Sequence, residues 1–471
     1  MNPFSDELAV ILKLIPDYTP EKHPGEHFLW TLGPVLKERI ARLEQRGLSQ
    51  IQQFNGADRR LVEDAFLLEG YLRFVPEVDK LIQKQVSLGG TSADVPFGEE
   101  AIVQFHARGF SDQDSHRYFA LYFQLRRAYY FIYTALVGES PSMKKLRFAL
   151  WNNVFTCDVR TYDDHLWNRM EDFSTLILGE TGTGKGSAAA AIGRSGFIPF
   201  DSKKGRFAQS FMELIIPVSL SQFPESLIES ELFGHRKGAF TGAVDTHVGL
   251  FELCGPHSSL FLDEIGDLTV SVQTKLLQVL QERIFSPVGS HSLKRFKGRV
   301  IAATNRSIEK LRKEGRFRDD LFYRLCSDVI IVPTLRLRIS ESPSELEQLV
   351  KSLVERITGE ESASLTSMIL ETLHRDLPSA YPWPGNVREL EQALRRILLN
   401  RHYKGDLMVT EPDLEDDFIQ KIQTGNIDAK ELLSEYCNFL YQRFPNYEEV
   451  ARRTQLDRRT VKKYITNTSR Q

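Results

Sequence analysis

The sequence is poor in cysteine. Four occur in 471 residues, Cys157, Cys254, Cys326 and Cys437. None forms a CxxC pair and none has a histidine at metal spacing. That excludes a disulfide scaffold and a zinc cluster and fits reduced thiols in a cytoplasmic protein. No secretory signal is read in Met1 to Glu7, which lacks a basic segment leading into an apolar one. Long apolar runs free of charge are also missing. The nearest, Tyr118 to Val137, carries Arg126 and Arg127 in its middle, where each would be costly in lipid. It reads as a buried helix, and no membrane partner is expected. An excess of one charge is lacking too. The net charge is -3 and the pI about 6.5, which excludes a uniformly basic coat but leaves room for a small basic module at one end.

What is present is a chain too long for one ordinary core, 41% hydrophobic and 26% charged, so two to four globular domains are expected. Residues 1–145 read as helix. Phe28, Leu29, Leu32, Val35 and Leu36 recur at three- and four-residue spacing, as do Leu72, Val75, Val78, Leu81 and Ile82. A Gly/Ser/Thr/Pro stretch from Ser87 to Gly98 reads as a loop. Tyr118, Tyr122, Tyr129, Tyr130 and Tyr133 follow at helical spacing and read as core. His23, His27, His106 and His116 stand alone and read as structural. From about Ser174, apolar runs alternate with helical segments. Thr175–Leu178, Leu214–Val218, Leu260–Leu262 and Val300–Ala303 predict parallel strands covered on both faces. After about Pro333 the pattern is helical again. Residues 401–429 are acidic and linker-like, and the last forty residues are helical and basic. There is no internal repeat.

Gly179-Glu180-Thr181-Gly182-Thr183-Gly184-Lys185 lies between a predicted strand and an Ala-rich helix, the setting of a phosphate-binding loop. Its glycines let backbone N–H groups turn toward phosphates at the positive end of the next helix. Lys185 adds a charge on the outer phosphates. The hydroxyl residue that usually follows the lysine is replaced by Gly186, with Ser187 next. Leu260-Phe261-Leu262-Asp263-Glu264 is an apolar strand ending in two carboxylates. Asp263 is assigned to Mg²⁺ and Glu264 to the attacking water of ATP hydrolysis. Thr304 and Asn305, at the tip of the next strand, can reach the γ-phosphate or that water. Arg318 and Arg324 occupy a charged stretch that can stabilise γ-phosphoryl charge in a neighbouring subunit.

Together these residues resemble the AAA+ domain of sigma-54-dependent activators, the NtrC-like class, from about Leu176 to Leu399. In the phosphate loop, Gly186 stands where that family has Glu. Glu229-Ser230-Glu231-Leu232-Phe233-Gly234-His235 leads into Gly238-Ala239-Phe240-Thr241-Gly242-Ala243, the family's sigma-54-contacting loop and the most specific string in the sequence. The resemblance implies a ring, from dimer to hexamer, whose ATP hydrolysis remodels sigma-54 RNA polymerase holoenzyme into the open complex. It implies Arg318 and Arg324 as arginine fingers and Arg388, in Trp383 to Leu390, as the lid's nucleotide sensor. Two departures are visible. Ser219-Leu220 replaces the family's Asn-Cys, whose Asn restrains the catalytic glutamate. Pro333-Thr334-Leu335-Arg336-Leu337-Arg338 replaces Pro-Pro-Leu-Arg-Glu-Arg.

Tyr447 to Ile465 reads as two short helices joined by a turn, with Val450, Ala451, Leu456, Val461 and Ile465 apolar. From Asn446 onward seven residues are basic and three acidic. That fits a helix-turn-helix on double-stranded DNA, with Arg458, Arg459, Thr460, Lys462 and Lys463 facing it, and resembles a Fis-type module. The expected architecture is a helical regulatory domain (1–145), an α/β AAA+ P-loop subdomain (146–335), a helical lid (336–400), a linker (401–429) and an all-α helix-turn-helix (430–471). The rival readings are a DNA-binding regulator whose ATPase domain does not remodel polymerase and a general AAA+ protein-remodelling ATPase.

Overall fold

A computed structural model describes Pro3 and residues 28–405 and 428–468. Most of the expected linker, and His23 and His27, lie outside the described residues. The chain divides into two compact units.

The first unit is built on a five-stranded parallel sheet: β1 (Thr175–Leu178), β2 (Ile215–Ser219), β3 (Ser259–Asp263), β4 (Arg299–Thr304) and β5 (Asp328–Ile331), in the order β2-β3-β4-β1-β5. Four of these strands coincide with apolar runs in the sequence. The fifth, Asp328-Val329-Ile330-Ile331, was not among them and pairs with β1 from Thr175↔Asp328 to Leu178↔Ile331. Only Ile330 in it is buried, so its apolar signal is short. Side chains alternate along the strands. Leu176, Leu260, Leu262, Val300 and Ala302 enter one core, and Ile177, Phe261, Ile301 and Ala303 enter the other.

The two cores have different covers. The first lies under α7 (Glu225–Phe233) and α8 (Val270–Glu282) and includes Leu232, Phe233, Leu276 and Leu280. The second is continuous with the N-terminal helices α1 (Phe28–Gln45), α2 (Gly56–Leu88), α3 (Gly98–Ala107), α4 (Asp112–Ala135) and α5 (Pro141–Phe155). It joins Phe119, Phe123, Phe131, Leu150 and Phe155 to α6 (Lys185–Gly193) and the sheet. The helical region is therefore one of the layers that cover the sheet. The boundary expected after residue 145 falls inside α5, which carries its Asn153 to the sheet. Asn153 donates to Thr175 Oγ1 (2.9 Å) and Asp328 Oδ2 (2.6 Å).

The stretch Tyr118 to Val137 is largely contained in α4, and among the described residues no helix is long and apolar enough to cross a membrane. Tyr118 and Tyr122 are core residues, whereas Tyr133 is half exposed. Arg126 pairs with Asp79, and Arg127 is wholly buried, bonded to the carbonyls of Arg194 and Gly196 at 2.8 Å each. His106 and His116 lie near Asp112, and His116 also bonds Ser202. A helical set follows β5: α9 (Leu335–Glu341), α10 (Ser344–Thr358), α11 (Ala363–Asp376) and α12 (Asn386–Asn400).

The second unit contains α13 (Ala429–Arg443), α14 (Tyr447–Thr454) and α15 (Arg458–Thr468) around Cys437, Leu440, Val450, Val461 and Ile465. The four cysteines are free.

Candidate nucleotide site and its loops

Parallel strands place functional loops at their carboxyl ends, and the expected phosphate-loop residues, the Asp263–Glu264 pair, Thr304 and Asn305 gather there. Gly182 (φ 79°) and Gly184 (φ 105°) adopt backbone angles that side chains resist, which turns the loop after β1 into the start of α6. The Lys185 ammonium is buried, donates to the carbonyls of Gly179 (3.0 Å) and Glu180 (3.3 Å), and lies 4.0 Å from Glu264 Oε1. Thr183 closes the loop through a 2.8 Å bond to the Glu180 carbonyl. Gly186 and Ser187 are exposed in the first turn of α6.

Register sets Ser219 beside Asp263 and Asp263 beside Ala303. Glu264 follows in the left-handed region at φ 60°, which turns it out of the strand direction. Its Oε2 accepts from Thr304 Oγ1 (3.4 Å) and from the Asn305 N–H (3.2 Å). The Asn305 amide donates to Thr181 Oγ1 at 2.8 Å and so ties the β4 tip to the phosphate loop. The Ser219 hydroxyl is engaged with Ser221 Oγ at 3.1 Å. The bonds that hold the Glu264 carboxylate come from Thr304 and Asn305.

The lid closes one side of this loop, through residues the sequence did not single out. Arg336 on α9 makes a two-pronged pair with the Glu180 carboxylate, which holds that carboxyl below its usual range, with a bond from Asn386 adding to the effect. Asn386 (φ 52°) donates to Glu180 Oε2 (3.2 Å) and the Thr181 carbonyl (3.0 Å) and accepts from the Leu335 N–H (2.8 Å). A Cβ on Gly182 would meet the Gly385 carbonyl at 2.1 Å and the Arg388 Cβ at 3.0 Å. Arg388 is therefore placed against the loop. The contacts from Arg336 and Asn386 to the loop span 156 to 206 residues, beyond the reach of local pattern.

Arg318 precedes the short helix Asp319–Leu325, with its guanidinium on Asp320 (2.7 and 3.0 Å) and Thr274 (3.3 Å). Arg324 donates to the Leu280 carbonyl at 2.9 Å. Neither is bonded to the phosphate loop.

Gly238 to Ala243 forms a raised turn on a narrow stalk. His235 and His247 exchange backbone bonds of 3.0 and 2.9 Å, and the Arg236 N–H reaches the Val288 carbonyl at 3.0 Å. Gly238 (φ 79°) and Gly242 (φ 102°) allow the Gly238 N–H to close on the Ala243 carbonyl at 2.8 Å. Ala239 packs on Gly289 of the next loop. Phe240 rests edge-on against His235 at 4.9 Å, 37% exposed, with Thr241 also exposed.

This site and turn lie in a segment with known relatives. Residues 163–331 match the sigma-54 interaction domain, and residues 341–430 match the AAA+ ATPase lid domain. The central region is thus similar to the ATPase core and lid of sigma-54 activators. The formate hydrogenlyase transcriptional activator of Salmonella typhimurium is 43% identical over 232 residues, 48% of this chain and 30% of that protein. The Nif-specific regulatory protein of Azotobacter vinelandii is 39% identical over 266 residues, 55% of this chain and 43% of that one. The DNA-binding transcriptional regulator NtrC of Azospirillum brasilense is 36% identical over 283 residues, 60% and 51%. The chain thus matches about half or less of the length of these relatives. The sigma-54 interaction domain holds the phosphate loop, the Asp263–Glu264 pair and the raised turn, and the lid domain holds Arg388.

In the second unit, Asn446 caps α14, Gln455 turns the chain at φ 55°, and Asp457 caps α15 through the N–H groups of Arg459 (2.9 Å) and Thr460 (3.1 Å). Val461 and Ile465 face the core, while Arg458, Arg459, Lys462 and Lys463 are exposed. Thr460 is half buried and bonded to Asp457.

Proposed function

We propose that the protein is a sigma-54-dependent transcription activator that hydrolyses ATP in a homo-oligomeric ring and remodels sigma-54 RNA polymerase holoenzyme into the open complex. The observation that carries this reading is the raised Gly238–Ala243 turn within a matched sigma-54 interaction domain whose phosphate loop and carboxylates are assembled. Lys185 and the N–H groups after β1 bind the β- and γ-phosphates of ATP. Glu264, held by Thr304 and Asn305, accepts the proton of the attacking water. Asp263, next to Glu264 at the end of β3, would supply the one carboxylate ligand that Mg²⁺ needs, since that ion takes one or two carboxylates beside substrate phosphates, whose charge it would neutralise. Arg318 and Arg324 serve a neighbouring subunit's γ-phosphate, and Arg388 senses the nucleotide from the lid. The basic face of α15 binds double-stranded DNA upstream of promoters, through Arg458, Arg459, Thr460, Lys462 and Lys463. The protein acts in the cytoplasm.

Footprinting on upstream DNA and open-complex formation with sigma-54 holoenzyme and ATP test the reading together. DNA binding with ATP turnover but no open complex would favour a regulator that does not remodel polymerase. ATP turnover without DNA binding would favour a general remodelling ATPase.

A further inference from the structure

A cavity of about 610 Å³ opens at the amino ends of β3 and β4, on the side of the sheet away from the phosphate loop. That volume lies within the roughly 300–1,000 Å³ typical of small-molecule sites. Its wall carries Arg283, Arg295, Lys297 and Arg299 against Glu171 and Asp172. Asp172 is taken by Arg283 at 3.0 Å. Arg295 and Lys297 are exposed and make no ion pair or side-chain hydrogen bond among the described residues.

Two cations lie on the inner side of the cavity, Arg299 of its wall and Arg127 behind it. Arg299 is buried, and its guanidinium bonds neutral oxygens: the Phe173 carbonyl (2.8 Å), Asn153 Oδ1 (2.8 Å) and Thr175 Oγ1 (3.0 Å). The nearby Asp328 is bonded to the intervening Asn153. Arg127 is held by the carbonyls of Arg194 and Gly196, and Gly196 itself lines the cavity. Burial pushes both guanidiniums down, Arg299 to about 10 and Arg127 to about 9. A buried cation without a bonded counter-charge costs free energy that a nearby anion offsets. Aromatic rings line another part of the wall. The Trp167 and Phe197 rings lie 4.8 Å apart at 58°, and the buried Phe296 also lines the cavity.

We propose that this cavity binds a small aromatic anion, with its ring on Trp167 and Phe197 and its carboxylate or phosphate toward Arg295 and Lys297. Ser195 to Phe197 follow the helix that begins at Lys185, and Arg299 begins the strand that ends at Thr304. An occupant therefore bears on both sides of the nucleotide site and acts as an effector. That consequence rests on the function proposed above; the binding does not.

The test titrates the full chain with 1-naphthoate, 1-naphthyl phosphate and neutral 1-naphthamide. Calorimetry and tryptophan fluorescence report binding, with Trp167→Phe as the fluorescence control. At least one anion is expected to bind with a Kd of about 1 mM or tighter, at least about tenfold more tightly than the amide. The order of the two anions identifies the headgroup. The double variant Arg295→Glu/Lys297→Glu is expected to lose about tenfold in anion affinity, equivalent to about 1.4 kcal/mol, with its melting temperature unchanged. Should charge reversal lower the melting temperature, Arg295→Ala/Lys297→Ala takes its place with the same expectation. Absence of anion binding, equal binding of the amide, or unaltered affinity in the folded variant would overturn the proposal.

Discussion

Glu264 is the residue on which chemistry and position meet. Its carboxylate faces Lys185 at 4.0 Å and is held by Thr304 and Asn305. Glu264→Gln keeps the shape and removes the proposed base, so ATP binding is expected to persist while turnover falls about 10²-fold or more. Filter binding and phosphate release measure the two separately. Gly186 makes the opposite point. A Cβ there meets open space, and a glycine in a helix costs about 0.5–1 kcal/mol relative to alanine. Gly186→Ala is expected to raise stability by that amount and leave nucleotide affinity intact, as seen in thermal melts and nucleotide titration. The Glu180–Arg336 pair is pH-dependent. A carboxyl held below its ordinary value contributes stability that is complete above the ordinary range and is lost as pH falls through the held value. Both partners are about half exposed, 42% and 47%, so such a pair is worth only about 0.2–1 kcal/mol. The stability gap between the wild type and Arg336→Gln is therefore expected to close as pH falls below the ordinary 4.5 of a glutamate. At this scale much was legible. Lys185, Asp263 and Thr304 announce themselves by their place at strand ends. Arg336 and Asn386 do not, because their partners lie in the phosphate loop, far away in sequence.

Among the elements, α9 links the phosphate loop to the N-terminal helices. Arg336 reaches Glu180, while Arg338 on the same helix pairs with Glu345 at 2.7 Å, with both side chains buried. Glu345 also accepts from the N–H groups of Glu139 (2.8 Å) and Ser140 (3.1 Å), and Arg338 reaches the Val137 carbonyl at 2.5 Å. Gly138 lies between them at φ 126°, and any Cβ there would strike Glu345. Glu345→Ala leaves Arg338 buried and unpaired, which typically costs about 3–5 kcal/mol. A loss of that size in chemical denaturation is expected, against a smaller one for the paired replacement Arg338→Met/Glu345→Leu. The helical pattern after Pro333 was readable, but this latch was not, since a buried ion pair leaves no periodic trace. The strand β5 was hidden for a related reason: of Asp328 to Ile331 only Ile330 is buried, so its apolar face is one residue long.

Over the whole molecule, the N-terminal helices cover one face of the ATPase sheet rather than standing apart as a separate sensor. Helical spacing showed that they are helices. It could not show that Phe119, Phe123 and Phe131 share a core with Ile177 and Ile301, because the spacing of one amphipathic helix does not name its partner. A chain beginning at residue 163 would expose that sheet face and the outer side of α6, and it is expected to aggregate where the full chain stays soluble, as sedimentation would show. In the proposed function, ATP turnover in a homo-oligomer moves the Gly238–Ala243 turn against sigma-54 polymerase. The most direct measurement is open-complex formation by sigma-54 holoenzyme with ATP, for the full chain and for Thr241→Ala. The account predicts open complexes with the wild type, and with the variant none despite retained ATP hydrolysis and DNA binding. Open complexes of equal yield with the variant, or none with a wild type that hydrolyses ATP and occupies its DNA, would contradict it.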